Sequence, residues 1–204
     1  MPLAVHPTAR LTQLIVGLAL YGTSMAMMTR AGLGLSPWDV LHEGLTVHAG
    51  LSFGAITAIT SGVVLLAWVP LRQRPGLGTL ANVVVIAVTV DLVRLVLPEQ
   101  HELGWQIALL VGGVVLNGVA TAAYIGVRLG PGPRDGLMTG LVMTTGRSVQ
   151  VVRTAIEAGV LLTGWLLGGT VGVGTVLYAL SIGTLTQFFL ARTTWRDRSA
   201  SCVA

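Results

Sequence analysis

The stretch GLGLSPWDVLHEGL, residues 32–45, returns in altered form as RLGPGPRDGLMTGL, residues 128–141. Both carry L-G-x-x-P-x-D-x-L-x-x-G-L, and both follow a long apolar run. The offset from Pro37 to Pro133 is 96 residues, and it holds well beyond the phrase without a gap. Gly17 falls on Gly113, Gly22 on Gly118, Ala26 on Ala122, Gly50 on Gly146 and Ser52 on Ser148. Gly76, Gly78 and Thr79 fall on Gly172, Gly174 and Thr175. Leu and Val coincide by chance in any apolar chain, but Pro, Asp and Gly in register do not. The chain reads as an internal duplication.

The phrase is a helix start. Ser36 suits the N-cap, where a hydroxyl accepts from an orphan backbone N–H. Pro37 suits the first helical position, where its missing N–H is no loss. Asp39, two further on, can reach back toward the cap. In the second copy Gly132, Pro133 and Asp135 take the same three places, and the preceding Gly34 and Gly130 allow a sharp turn. The helices so begun, 37–49 and 133–146, cover only about 20 Å. That is too short for ~30 Å of hydrocarbon.

The rest of the chain is apolar. It has 204 residues, 53% hydrophobic and 10% charged, with a mean hydropathy of +0.80. Soluble chains run about 25% charged. The runs are continuous rather than alternating, which excludes a β-barrel. Each copy therefore predicts three spans and one half-helix: 11–31, 52–70 and 78–97 around 37–49, then 105–127, 148–168 and 173–191 around 133–146. The expected fold is an all-α polytopic membrane protein with repeats over 11–97 and 105–191. Residues 1–10 and 192–204 are expected in the cytoplasm, and 98–104 outside. No signal peptide is evident ahead of the first run.

All twelve basic residues are Arg. With a cytoplasmic N-terminus, Arg10, Arg72, Arg74, Arg128, Arg134, Arg147, Arg192, Arg196 and Arg198 fall inside. That is the bias of the positive-inside rule, and no sign of nucleic acid. Three spans are an odd number, so the repeats are expected to be inverted. The one Cys, Cys202, excludes an internal disulfide.

With Gly34, Pro37, Asp39 and Leu41, and again Gly130, Pro133, Asp135 and Leu137, the chain resembles the YczE/YitT group of bacterial membrane proteins. The Trp of SPWDVL and the length place it nearer the YczE branch. The resemblance implies the bacterial cytoplasmic membrane and little chemistry, with export of small molecules as one role. Descriptions of that group count five spans, against the six expected here.

Candidate site residues follow from depth. Ionisable groups inside a membrane are costly and usually functional. Glu157 lies midway along its span, with Arg153 four residues before it on the same face. They read as a self-neutralising pair or as a binding site. Asp39 and Asp135 read as helix caps that could also hold a cation, a proton or an amine. Trp38 could line a cavity. Asp91 with Arg94 reads as a structural pair, and Asn82, Asn117 and Gln187 as bridges between helices or substrate ligands. His42, Glu43 and His48 lack a recognised zinc spacing. Trp68, Trp105 and Trp195 fit interfacial anchors. Gly118, Ala122 and Gly126, matched by Gly22 and Ala26, form a small-residue stripe. It is expected to pack the first and fourth spans together, or else to make a homodimer contact.

Paired half-helices in inverted repeats are the architecture of secondary transporters. The expected function is a small-molecule carrier or exporter in the lipid bilayer, with its site at the repeat interface. The rivals are a non-transporting membrane scaffold or regulatory partner and a channel. No nucleophile with a base, metal set or phosphate loop points to an enzyme, and no cofactor is expected.

Overall fold

The structure, a computed structural model, describes residues 7–194. The described elements are eight helices: α1 Pro7–Ala31, α2 Pro37–Ala49, α3 Phe53–Trp68, α4 Leu77–Val96, α5 Leu103–Gly126, α6 Pro133–Thr145, α7 Val149–Leu166 and α8 Val173–Thr193. Five of them, α1, α4, α5, α7 and α8, are long and apolar enough to cross a membrane. α3 has 16 residues, stopping two before Pro70, and spans about 24 Å. It meets α2 at a bend of 113°, so the pair counts as a sixth span only when taken together. The six full spans expected from sequence thus become five, or six with that broken one.

Two other expectations need correction. α1 begins at Pro7, and Arg10 is buried within it rather than lying in a loop. Trp68 is 1% exposed, so it is a core residue and not an interfacial anchor. Trp105, near the start of α5, is 62% exposed. Trp195, Arg196, Arg198 and Cys202 lie outside the described residues.

The most extensive helix contact is α1 with α5. Its polar and close contacts run in opposite directions along the two helices. Gln13 donates to the Ala123 carbonyl at 2.9 Å, and Ser24 accepts from Asn117 at 2.8 Å. α1 and α5 are therefore antiparallel. The small residues at this crossing are Gly17 and Gly113. A Cβ on Gly17 would lie 3.1 Å from the Ala123 Cβ, and one on Gly113 2.8 Å from the Met28 Cγ. Gly22 and Gly118 do other work. Gly22 lets α4 approach at Ile86 and Thr89, and Gly118 lets α8 approach at Leu185. The expected first-to-fourth helix packing is present, but Gly22 and Gly118 do not make it. Asn117 then extends the contact to α8, accepting from the Tyr178 hydroxyl at 3.2 Å.

Each half-helix packs on the opposite copy, α2 against α7 and α6 against α3. The links that lead into them are held the same way. Gly174 N–H donates to the Leu33 carbonyl at 2.8 Å, and Gly78 N–H donates to the Leu129 carbonyl at 2.9 Å. Donors and acceptors in these two bonds are both 96 residues apart. Between them sit Gly34 and Gly130, with φ of 115° and 125°, a region that favours glycine. A Cβ on Gly34 would come within 2.7 Å of the Gly172 nitrogen, and one on Gly130 within 3.0 Å of the Gly76 Cα. The glycine of each repeated phrase is thus required twice, by its dihedral and by backbone packed on backbone.

Candidate functional site

At the start of α2, Ser36 is extended, with φ −62° and ψ 153°. Its hydroxyl accepts from the Asp39 N–H at 3.3 Å and donates to the Asp39 Oδ2 at 2.6 Å. Asp39 caps as expected, but through the Ser36 hydroxyl rather than its amide. Its other oxygen, Oδ1, lies 3.5 Å from the His42 Nδ1 and 3.8 Å from the Arg134 Nη2. Asp39 is 3% and His42 1% exposed. His42 is further enclosed by the edge of Phe53, with ring centroids 5.8 Å apart.

At the start of α6 the backbone repeats, with Gly132 at φ −62° and ψ 159°. Gly132 has no hydroxyl, and the Asp135 carboxylate accepts from the Tyr124 hydroxyl at 3.0 Å instead. Arg134 lies over the Trp38 ring, 4.9 Å from its centroid, within cation–π range. These two residues are 96 positions apart, so equivalent side chains of the two copies stack on each other.

Both half-helix starts open on one cavity of about 290 Å³, and every helix contributes to its wall. That is near the lower end for small-molecule sites. Ser36, Pro37, Trp38, Thr57, Ser61, Asn82 and Ile86 line it. So do the residues 96 positions on: Gly132, Pro133, Arg134, Arg153, Glu157, Tyr178 and Ile182. Asp135, Tyr21, Tyr124, Thr121, Met138 and Gln187 are also in the wall. The side chains of all three tyrosines in the chain converge here.

Of the expected residues, Trp38, Asp135, Arg153 and Glu157 share this cavity, with Ser36, Pro37, Gly132 and Pro133 also in its wall. Arg153 and Glu157 are paired at 2.9 Å, so the self-neutralising pair and the lining role hold together. Asp39 is not in the wall; it is buried behind Arg134. Gly34 and Gly130 are structural. Asn82 and Gln187 reach the cavity, whereas Asn117 bridges α1 and α8. Asp91 is structural through other partners. It accepts from Ser52 Oγ at 2.5 Å and Gly54 N–H at 2.7 Å, capping α3, and Arg94 lies over Phe53. Glu43 accepts from the Thr170 N–H at 2.6 Å, tying α2 to the α7–α8 turn.

Arg134, which the charge bias assigns to the cytoplasmic side, belongs to the cavity wall. Its side chain is 27% exposed and faces the cavity. The signal was present in the alignment of the two copies, which sets Arg134 where Trp38 was already a cavity candidate. The tyrosines were detectable as hydroxyl-bearing rings inside apolar runs.

The wall carries two guanidinium groups and two carboxylates beside the starts of α2 and α6. Such a surface can hold a polar molecule by hydrogen bonds and charge at both signs.

Known proteins resemble this chain over most of its length. A Haemophilus influenzae protein is 41% identical over 177 residues, covering 87% of this chain and 81% of that one. The Bacillus subtilis membrane protein YczE is 37% identical over 172 residues, covering 83% and 79%. A second B. subtilis protein, YyaS, is 27% identical over 179 residues. No solved structure matches. Residues 8–191 match the family of unknown function DUF6198, and this chain, a membrane protein related to YczE, belongs to it.

Proposed function

We propose that the protein is a small secondary transporter, an exporter of the cytoplasmic membrane, that moves a polar small molecule through the cavity by alternating access. The observation that carries this reading is the cavity itself. It lies where both half-helix starts meet, and seven pairs of equivalent residues line it. Inverted repeats with broken helices at a shared site are a carrier architecture. The antiparallel α1 and α5 and the two reciprocal link bonds support an inverted repeat.

Two experiments test this in a Cys202→Ser background. The first concerns topology. Pro75 and Val171 are exposed equivalents in the hairpins before α4 and α8. Single cysteines there react with an impermeant thiol reagent from opposite faces if the repeats are inverted. Reaction from one face removes the geometric basis of the proposal. The second concerns access. Ser61→Cys, in the cavity wall, is labelled from either face of oriented vesicles if the cavity opens alternately. Labelling from one face only, or from neither, favours a scaffold.

A further inference from the structure

The two copies differ most in how their last two helices meet. In the first, α3 packs along α4. Gly54 makes this contact possible, since a Cβ there would lie 2.6 Å from the Asp91 carboxyl carbon. In the second copy Gln150 stands in the place of Gly54, and Gly183 in the place of Ala87. α7 and α8 barely touch. A Cβ added to Gly183 would meet nothing within 4 Å.

The slot between α7 and α8 adjoins the cavity, because Glu157 and Gly183 are both part of its wall. Its depth decides what it faces. Glu157 is midway along α7, and Gly183 midway along α8. An opening at the middle of two spans meets hydrocarbon, whereas one at their ends meets water. Yet Arg153 and Glu157, 52% and 36% exposed, stand in it. A charged pair open to hydrocarbon is unfavourable unless a polar group covers it.

We infer that the slot is a lateral entrance for a zwitterionic amphiphile of the bilayer, whose head binds in the cavity while its chain lies between α7 and α8. Charge complementarity selects the head. Arg134 and Arg153 suit a phosphate, and Asp135 and Glu157 suit an ammonium. The chain needs no polar partner, and the outer faces of α7 and α8 offer Leu162, Val176 and Leu180. This deepens the proposed function by naming the substrate class, but rests only on the cavity being a binding site.

The test uses a phosphatidylethanolamine analogue with a diazirine in its acyl chain. The full-length protein is reconstituted in phosphatidylethanolamine–phosphatidylglycerol vesicles, and adducts are mapped by mass spectrometry. Adducts are expected on cavity-facing Ile156 and Ile182. Gly183→Trp, placed in open space, should reduce them about tenfold while leaving adducts on the outer face of α4 unchanged. Equal labelling in Gly183→Trp, or labelling of outer faces alone, overturns the inference. So does a disulfide between two copies of a Gly183→Cys, Cys202→Ser chain, because a second molecule then covers the slot. Failure here with Ser61→Cys reached from both faces leaves transport standing and assigns it a water-soluble substrate. Cavity adducts with Ser61→Cys reached from one face retain the amphiphile and remove transport.

Discussion

At the start of α2 a serine hydroxyl holds the Asp39 carboxylate against its own helix, and Arg134 and His42 close over the other oxygen. At the start of α6 the equivalent position is glycine, and the Asp135 carboxylate turns to Tyr124 in the cavity wall. One hydroxyl thus separates a buried structural acid from a site acid. The same division extends through the copies. The first contributes Ser36, Trp38, Thr57, Ser61 and Asn82 to the cavity, all uncharged, and the second contributes Arg134, Asp135, Arg153 and Glu157. Duplication supplied a symmetric frame, and the chemistry accumulated on one side of it.

The half-helix contacts differ by a trade of volume. Trp68 of α3 fills the space left by Gly136 of α6 and donates its indole N–H to the Pro133 carbonyl at 3.0 Å. In the equivalent contact the span offers Gly164 and the half-helix Val40. Gly136→Val should therefore place a side chain inside the Trp68 ring, destabilising by about 3 kcal/mol or more and removing most folded protein from the membrane. Adding Trp68→Gly recreates the other contact and should restore part of the yield, read by size-exclusion chromatography of the fluorescently tagged chain. No recovery would show that the two contacts are not interchangeable.

A smaller loss is expected from Arg134→Gln, which leaves Asp39 buried without its cation. Arg134 is 27% exposed and 3.8 Å from the carboxylate, so leaving Asp39 unpaired should cost about 2 kcal/mol. Arg134→Gln with Asp39→Asn should lose much less, as thermal unfolding in detergent would show. Equal losses would mean that Arg134 matters by stacking on Trp38.

Smaller still is the cap itself. Ser36→Ala should cost about 1 kcal/mol, whereas Gly132→Ala, with no side-chain cap to lose, should shift stability by only a few tenths. Equal effects would break the distinction between the two starts. At the bottom of the scale, Glu157→Gln keeps an oxygen for the Arg153 guanidinium and still faces the polar cavity, so it should change stability by less than about 0.5 kcal/mol. Any strong loss of cellular phenotype in that variant is then a loss of function at the site.

What could be read without coordinates was punctuation. Proline, serine and glycine act through their own backbone neighbours, so the starts at Ser36 and Gly132, the half-helix lengths and the repeat all showed in the sequence. Partner choice was hidden, because it depends on residues far along the chain. Trp68 at the end of an apolar run resembles a membrane anchor until Gly136 is placed beneath it. Arg134 in a short polar stretch resembles a rim charge until α2 is brought across from the other copy. Gly22 and Gly118 have the spacing of a helix–helix contact, but spacing alone does not say which helix arrives.

The crossed links have a consequence for how the chain is made. Leu33 offers its carbonyl to Gly174, and α2 has its packing surface on α7, both in the later half. At about 5–20 residues per second, synthesis of the intervening repeat takes roughly 5–20 s. Through that interval the face of α2 that meets α7, and the Leu33 carbonyl, lack the partners they have in the finished fold. A nascent chain stalled after α4 is thus the form in which this protein most needs the insertion machinery, and the form in which quality-control proteases would find it.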